Sequence, residues 1–325
     1  MVDLRKGPRG LPSIAHAREV RAHRGPTWTM QAGLVAGGAV IAGFVAHLVV
    51  SARDLSSTRD ALLAKERAVA ATVGAEWFPL RDRVEAEIAS AAQPYPGDHI
   101  EPEARAGQFR TQPGVYLRLR LADAAGGHDI GQIAAGAKRD AFVACFLHEP
   151  NERVKHGDFS GGAIAEQPWN LGQVYAATRI LTEDWVRAVK DADEAMRLRV
   201  FSEQYDKAIR DEIPLAIEIV KRAQFFLLVI DEDVADANGA ADGGPMTEEA
   251  LQLLAHPARV TLLDLRSNKE LLRIRRSGGA LVVPAGERQV TDPETLSAMQ
   301  RQANNCALAG LVDDALSRSS AAAER

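Results

Sequence analysis

No Lys, Arg, Asp or Glu stands between Arg24 and Arg53. That gap excludes an ordinary surface helix, which keeps charge on its solvated side. At 1.5 Å per residue, about 20 such residues cross a hydrocarbon layer. Two readings compete for the segment. One is a permanent signal-anchor helix over residues 27–52, the other a secretory leader cut after Ala52, where Val50-Ser51-Ala52 supplies small residues. The apolar run is longer than the roughly 7–15 residues of a leader core, and the polar stretch before it is long, so the anchor is the expectation. A buried core helix fits less well, because an apolar surface all round suits lipid better than a globular interior.

Other features are scarce. Aromatic residues make up 5% of the chain, and of the 325 residues only Cys145 and Cys306 are cysteines. No CxxC and no zinc-type spacing occurs, so the pair reads either as a disulfide of an oxidising compartment or as two buried thiols. No repeat of 20 to 50 residues is visible. The first 24 residues hold six Lys/Arg against Asp3 and Glu19, whereas the whole chain is −5, so the body is strongly acidic. An acidic body argues against nucleic acid as partner. Arg53, Arg59, Lys65 and Arg67 follow the apolar run closely and leave a slight positive-inside bias. We read the N-terminus as cytoplasmic and the body as extracytoplasmic.

What is present gives an order of parts. A basic tail (1–26) precedes the membrane helix (27–52), a helical stalk (53–92), a Pro-rich linker (93–112), an α+β domain (113–317) and a disordered tail (318–325). Gly33 and Gly37, with Ala39 and Gly43, would let two membrane helices approach closely. Leu48, Leu55, Leu62 and Val69 recur every seven residues, but the intervening positions suit a coiled coil poorly. Trp77, Leu80, Val84 and Ile88 continue at helical spacing past Pro79, which either kinks the helix or opens a second. The stalk either packs on its own domain or pairs with a second copy.

In the body, residues 115–121 alternate apolar and basic, as a half-exposed strand does. Residues 141–147 form a continuous apolar run and read as a buried strand. Residues 171–222 are helical in pattern, with Thr182 as a cap and Pro214 as a break. Residues 224–230 make the strongest strand, residues 259–275 a hairpin around Ser267-Asn268-Lys269, 281–283 a short strand, and 293–317 a final helix. These imply a mixed sheet covered on one face by helices, of the α+β class.

Several motifs suggest chemistry and fall short of it. Residues 227–232 resemble a Walker B strand, but the glycine-bearing stretch 131–139 has the wrong spacing for a phosphate loop. Asp231 and Asp233 stand as in phosphatases that use a DxD pair, without enough chain after them for that fold. Asp231, Asp233 and Asp236 are the candidate ligands for a divalent cation. The loop around Ser160 lacks the spacing of a serine nucleophile, and His148, His156, His99 and His128 form no HExxH. Arg118, Arg120, Arg273, Arg275 and Arg276 form either a basic stripe or an ion-paired sheet face. The expectation is therefore a membrane-anchored binding or scaffolding domain. It has no cofactor and no nucleotide, and its partners are the bilayer and a protein or a second copy. The alternative is a membrane-tethered hydrolase or metal-dependent domain built on the acidic cluster after Ile230.

Overall fold

The computed structural model describes residues 28–126, 129–137, 140–147, 169–233, 247–280 and 292–323, with the side chains of all but 28–52, Trp169 and 319–323. Helix α1, Trp28–Ala91, runs unbroken through the uncharged segment and past Pro79. Its second half is no free-standing stalk. Leu62, Trp77, Leu80, Val84 and Ile88 are all buried in the main core, and Leu55 and Val69 pack against it. The helical spacing of those residues matches the face that the body covers.

Six strands form one sheet among the described residues: β1 (His99–Ile100), β2 (Gly114–Arg120), β3 (Trp169–Asn170), β4 (Phe225–Asp231), β5 (His256–Asp264) and β6 (Lys269–Gly278). Their order is β1-β6-β5-β4-β2-β3. β2 runs parallel to β3 and β4, whereas β5 and β6 pair antiparallel. The β5–β6 hairpin turns through Asn268, whose φ of 56° asparagine tolerates better than most residues. β1 arises within the stretch read as linker and pairs with β6.

Both faces of this sheet are covered, not one. In β4, Phe226, Leu228 and Ile230 join the core that contains α1, while Phe225, Leu227 and Val229 join a second core on the opposite face. Alternate residues of a strand point to opposite faces, so an apolar run without alternation needs two covering layers. The first layer is α1 with α2 (Leu171–Thr178), α3 (Glu183–Lys190), α4 (Ala195–Lys207) and α5 (Ile213–Arg222), in chain order after it. Thr182 caps α3 by accepting from the Trp185 amide, and Pro214 sits in the first turn of α5 behind a π-helical turn at 208–212.

The second layer is α6, Pro293–Ala323, with the short helix Ala141–Leu147. That heptapeptide is helical where the sequence suggested a strand. It is capped by Asp140, whose Oδ1 accepts the Phe142 amide at 3.0 Å, and Phe142, Val143, Cys145 and Phe146 are all buried. Seven apolar residues with no polar face carry no period, so packing decided the conformation. Cys145 and Cys306 join this helix to α6 with their Cα atoms 5.1 Å apart. Closing a loop of 161 residues contributes about 5 kcal/mol in the chain-entropy account of disulfides.

Arg259 ties the C-terminal end of α1 to the sheet. Its guanidinium donates to the carbonyls of Ala91 and Gln93 at the end of α1 and, through Nε, to Glu232 Oε1 at 2.6 Å. A cation there satisfies orphan carbonyls and faces the negative end of the helix dipole. Because Ile88 is fully buried, Ile88→Ala should destabilise the protein by about 2–5 kcal/mol, while Leu215→Ala, at 58% exposed, should change it little. Urea denaturation of the two variants checks this; equal effects would show that α1 stands off the core.

Candidate functional site

At the carboxyl ends of the parallel strands β2 and β4, on the face covered by α6, a cluster of charges is buried. Arg118 of β2 is the largest fully buried side chain, at 1% exposure. The period of two that places Val115, Leu117 and Leu119 in the α1 core sends Tyr116 and Arg118 to the other face. Asp231 closes β4 on the same side as Val229, and His256 opens β5 on the same side as Ala258 and Val260. Register thus brings three polar residues from three neighbouring strands to one spot. Helix packing adds Asp140 and, from α6, Asn305.

The contacts are short and mutual. Arg118 grips Asp231 with two prongs, Nε to Oδ2 at 2.7 Å and Nη2 to Oδ1 at 2.8 Å. Its Nη1 donates to Asp140 Oδ2 at 2.6 Å and to Asn305 Oδ1 at 2.7 Å. Tyr116 Oη donates to the same Asp140 oxygen at 2.9 Å. His256 Nε2 meets Asp231 Oδ1, and its Nδ1 meets the Leu254 carbonyl oxygen, each at 2.9 Å. Both ring nitrogens face acceptors, so both hydrogen bonds form when each nitrogen carries a proton. Buried charges persist only when paired and hydrogen-bonded in this way.

Burial alone would raise the Asp231 carboxyl, but the Arg118 guanidinium and the His256 hydrogen bond outweigh it and hold the group below the usual carboxylate range. Burial, reinforced by the Asp140 charge, pushes the Tyr116 phenol well up. Glu248 behaves differently. It begins the single turn Glu248–Leu251, which Thr247 caps, and its Oε1 accepts from Gln252 Nε2 at 3.1 Å. Gln252 in turn bonds Asn304 and Asn305, which connects Glu248 to Arg118. Burial raises Glu248 to about 7; Arg118 opposes this, and Asp231, Asp140 and Asp123 add to it. A carboxyl raised toward neutrality, beside the carboxyl ends of parallel strands, is a group suited to exchanging a proton at physiological pH.

The acidic triplet after Ile230 is shared among cations. Asp231 belongs to Arg118 and His256. Glu232, on the other face, meets Arg259 and also Arg275, through Nη2 at 2.5 Å. Asp233 Oδ1 lies 2.6 Å from Arg120 Nη2. Asp236 falls outside the described residues, as do Ser160, His148, His156 and the short strand at 281–283. Among the described residues no group of three or more His, Cys, Asp or Glu is placed to hold a metal ion. The glycine-bearing stretch after Asp129 is a helix, Ile130–Gly136, and Asp129 itself accepts the Gly131 amide.

Of the two readings of the arginines, the ion-paired face describes them and the continuous basic stripe does not. Arg118 is buried, Arg276 pairs with Asp98 at 2.7 Å, and Arg273 reaches Glu270 at 3.5 Å. The alternation of apolar and basic residues in β2 suggested a water-facing side. What covers it instead is a layer whose carboxylates and amides match the guanidinium. Asp140, His256, Asn305 and Glu248 were not distinguished by spacing, since each comes from a different element. Comparison of the chain with protein-family models, with curated proteins and with solved structures gives no match.

Arg118→Met removes the one group bonded to both Asp231 and Asp140, and should cost about 3–5 kcal/mol in urea denaturation. Adding Asp231→Asn should recover part of the loss; strict additivity of the two changes would show the pair to be uncoupled. For Glu248, the folded value lies above that of the unfolded chain. The folded protein therefore retains the proton longer, and stability falls as pH rises from about 4.5 to about 7. Glu248→Gln should abolish that slope, gaining about 1–2 kcal/mol above pH 7 after allowance for partial exposure, and little near pH 4.5. Thermal melts across this range read the difference.

Proposed function

We propose that this chain is a single-pass membrane protein whose α+β domain works by binding or scaffolding on the far side of the bilayer from its N-terminus. The observation that carries the reading is α1. One helix runs through the uncharged segment and into the core of the body, so an anchor there holds the domain at fixed distance and orientation. The joined cysteines suit an oxidising compartment. No helix among the residues whose side chains are described is long and apolar enough to cross a membrane, and the side chains of 28–52 lie outside that set. The anchor therefore rests on the sequence.

A binding role draws support from how the acidic residues are used. Asp231, Glu232 and Asp233 each face a guanidinium, which commits them to holding strands together. The partners are the bilayer and a protein, or a second copy through Gly33, Gly37 and Gly43. One observation favours the other reading, a membrane-tethered hydrolase: Glu248, poised near neutrality beside the cluster, has the character of an acid–base group.

Fractionation and a reporter fused to the C-terminus test the main reading. The full-length protein should stay with membranes through alkaline extraction, with the reporter active outside the cytoplasm. Release into the soluble fraction at full length, or a reporter active only in the cytoplasm, overturns it.

A further inference from the structure

The body begins to touch α1 within two turns of the last uncharged residue, Ala52. Leu55 already packs against the core, and the Arg59 guanidinium donates to the Ala192 carbonyl just ahead of α4. Six residues later Tyr205 Oη donates to the Lys65 carbonyl at 3.2 Å, with the Lys65 amine 6.0 Å from the Tyr205 ring. Between these ties a cavity of about 300 Å³ is lined by Ser57, Thr58, Ala61, Leu62 and Lys65 of α1 and Ser202 of α4. α4 therefore climbs alongside α1 in the same direction, with its N-terminal end nearest the uncharged segment.

Helix geometry converts this into a height. Arg59 lies about 10 Å along the axis from Ala52, and helical side chains lean back toward the N-terminus. The layer of lipid headgroups outside each edge of the hydrocarbon is about 5–7 Å thick. The start of α4 is thus at headgroup level if the helix stands upright. There α4 presents Met196, 67% exposed, and one turn later Val200, 45% exposed, while Leu198 and Tyr205 face inward. Met196 is the most exposed of the large apolar side chains described. Scattered apolar residues on a surface need no explanation; one this exposed at this height, with a second on the same face about 6 Å farther out, does.

We propose that the N-terminal end of α4, with Met196 exposed on it, lies in the interfacial layer of the bilayer that holds α1, with Val200 about 6 Å farther out at the edge of that layer. This rests on the membrane reading above. The contact is apolar in kind. Arg197 and Arg199 beside it are offset by Asp191, Asp193 and Glu194 at the entrance to α4, so binding does not require anionic lipid.

The test uses the full chain in nanodiscs, with Cys145 and Cys306 left joined so that one introduced thiol takes an environment-sensitive fluorophore. Ile41→Cys, read against a quencher at the acyl-chain ends, reports the span, Met196→Cys the proposed contact, and Leu215→Cys a control. Leu215 sits on α5, whose Lys221 pairs with Glu76, about 36 Å along α1 from Ala52. Lipids with a quencher just below the headgroup should quench position 196 several-fold more than position 215, equally in phosphatidylcholine and in mixtures with phosphatidylglycerol. Quenching at 41 with none at 196 overturns the inference and leaves the anchor standing. Quenching at 196 only with phosphatidylglycerol overturns its apolar character. No quenching at 41 overturns the anchor, and the inference with it.

Discussion

The two-pronged pair of Arg118 and Asp231 is the interaction on which the sheet's centre depends. It joins β2 to β4 at their carboxyl ends, where the parallel pair would otherwise end in two unlike charges beneath a helical layer. A guanidinium in such a place is tolerable only if each of its donors finds an acceptor, and the elements around it are arranged to supply them. Asp140 does so while capping its helix. Asn305 does so from α6, one residue before the cysteine that ties α6 to that same helix. His256 completes Asp231 from β5. The cost of leaving any member alone makes this group of contacts selective for one arrangement of five elements.

The opposite face follows a different rule. There α1 supplies a long apolar stripe, with polar contacts at its two ends and at points along it. Arg59 binds the Ala192 carbonyl near the beginning, and Arg259 closes the other end by binding Ala91 and Gln93. Between them Arg83 donates to the Leu265 carbonyl at the start of the hairpin turn. From Leu55 to Ala91 the helix is thereby fixed against the sheet.

Much of this was legible in the residues. The strand at 225–231, the hairpin around Asn268, the cap at Thr182 and the final helix each carry a local signal of period, turn chemistry or capping that survives any tertiary context. The second covering layer carried none. The helix at 141–147 is apolar on all sides, so neither period is present to read. The alternation in β2 is that of a half-exposed strand because an arginine paired on a buried face is the same letter as an arginine in water. The members of the cluster lie 22, 113 and 187 residues from Arg118, and no spacing rule links positions so far apart.

By itself, then, the sequence determined where charge is missing, which segments are helix or strand by period, and that the body mixes the two. Only the tertiary structure decided that α1 is part of the core, that both faces of the sheet are covered, and that Arg118 is buried. The reason is physical. Secondary structure is set by neighbours a few residues away, whereas the state of a charge depends on which groups arrive from elsewhere to replace its water.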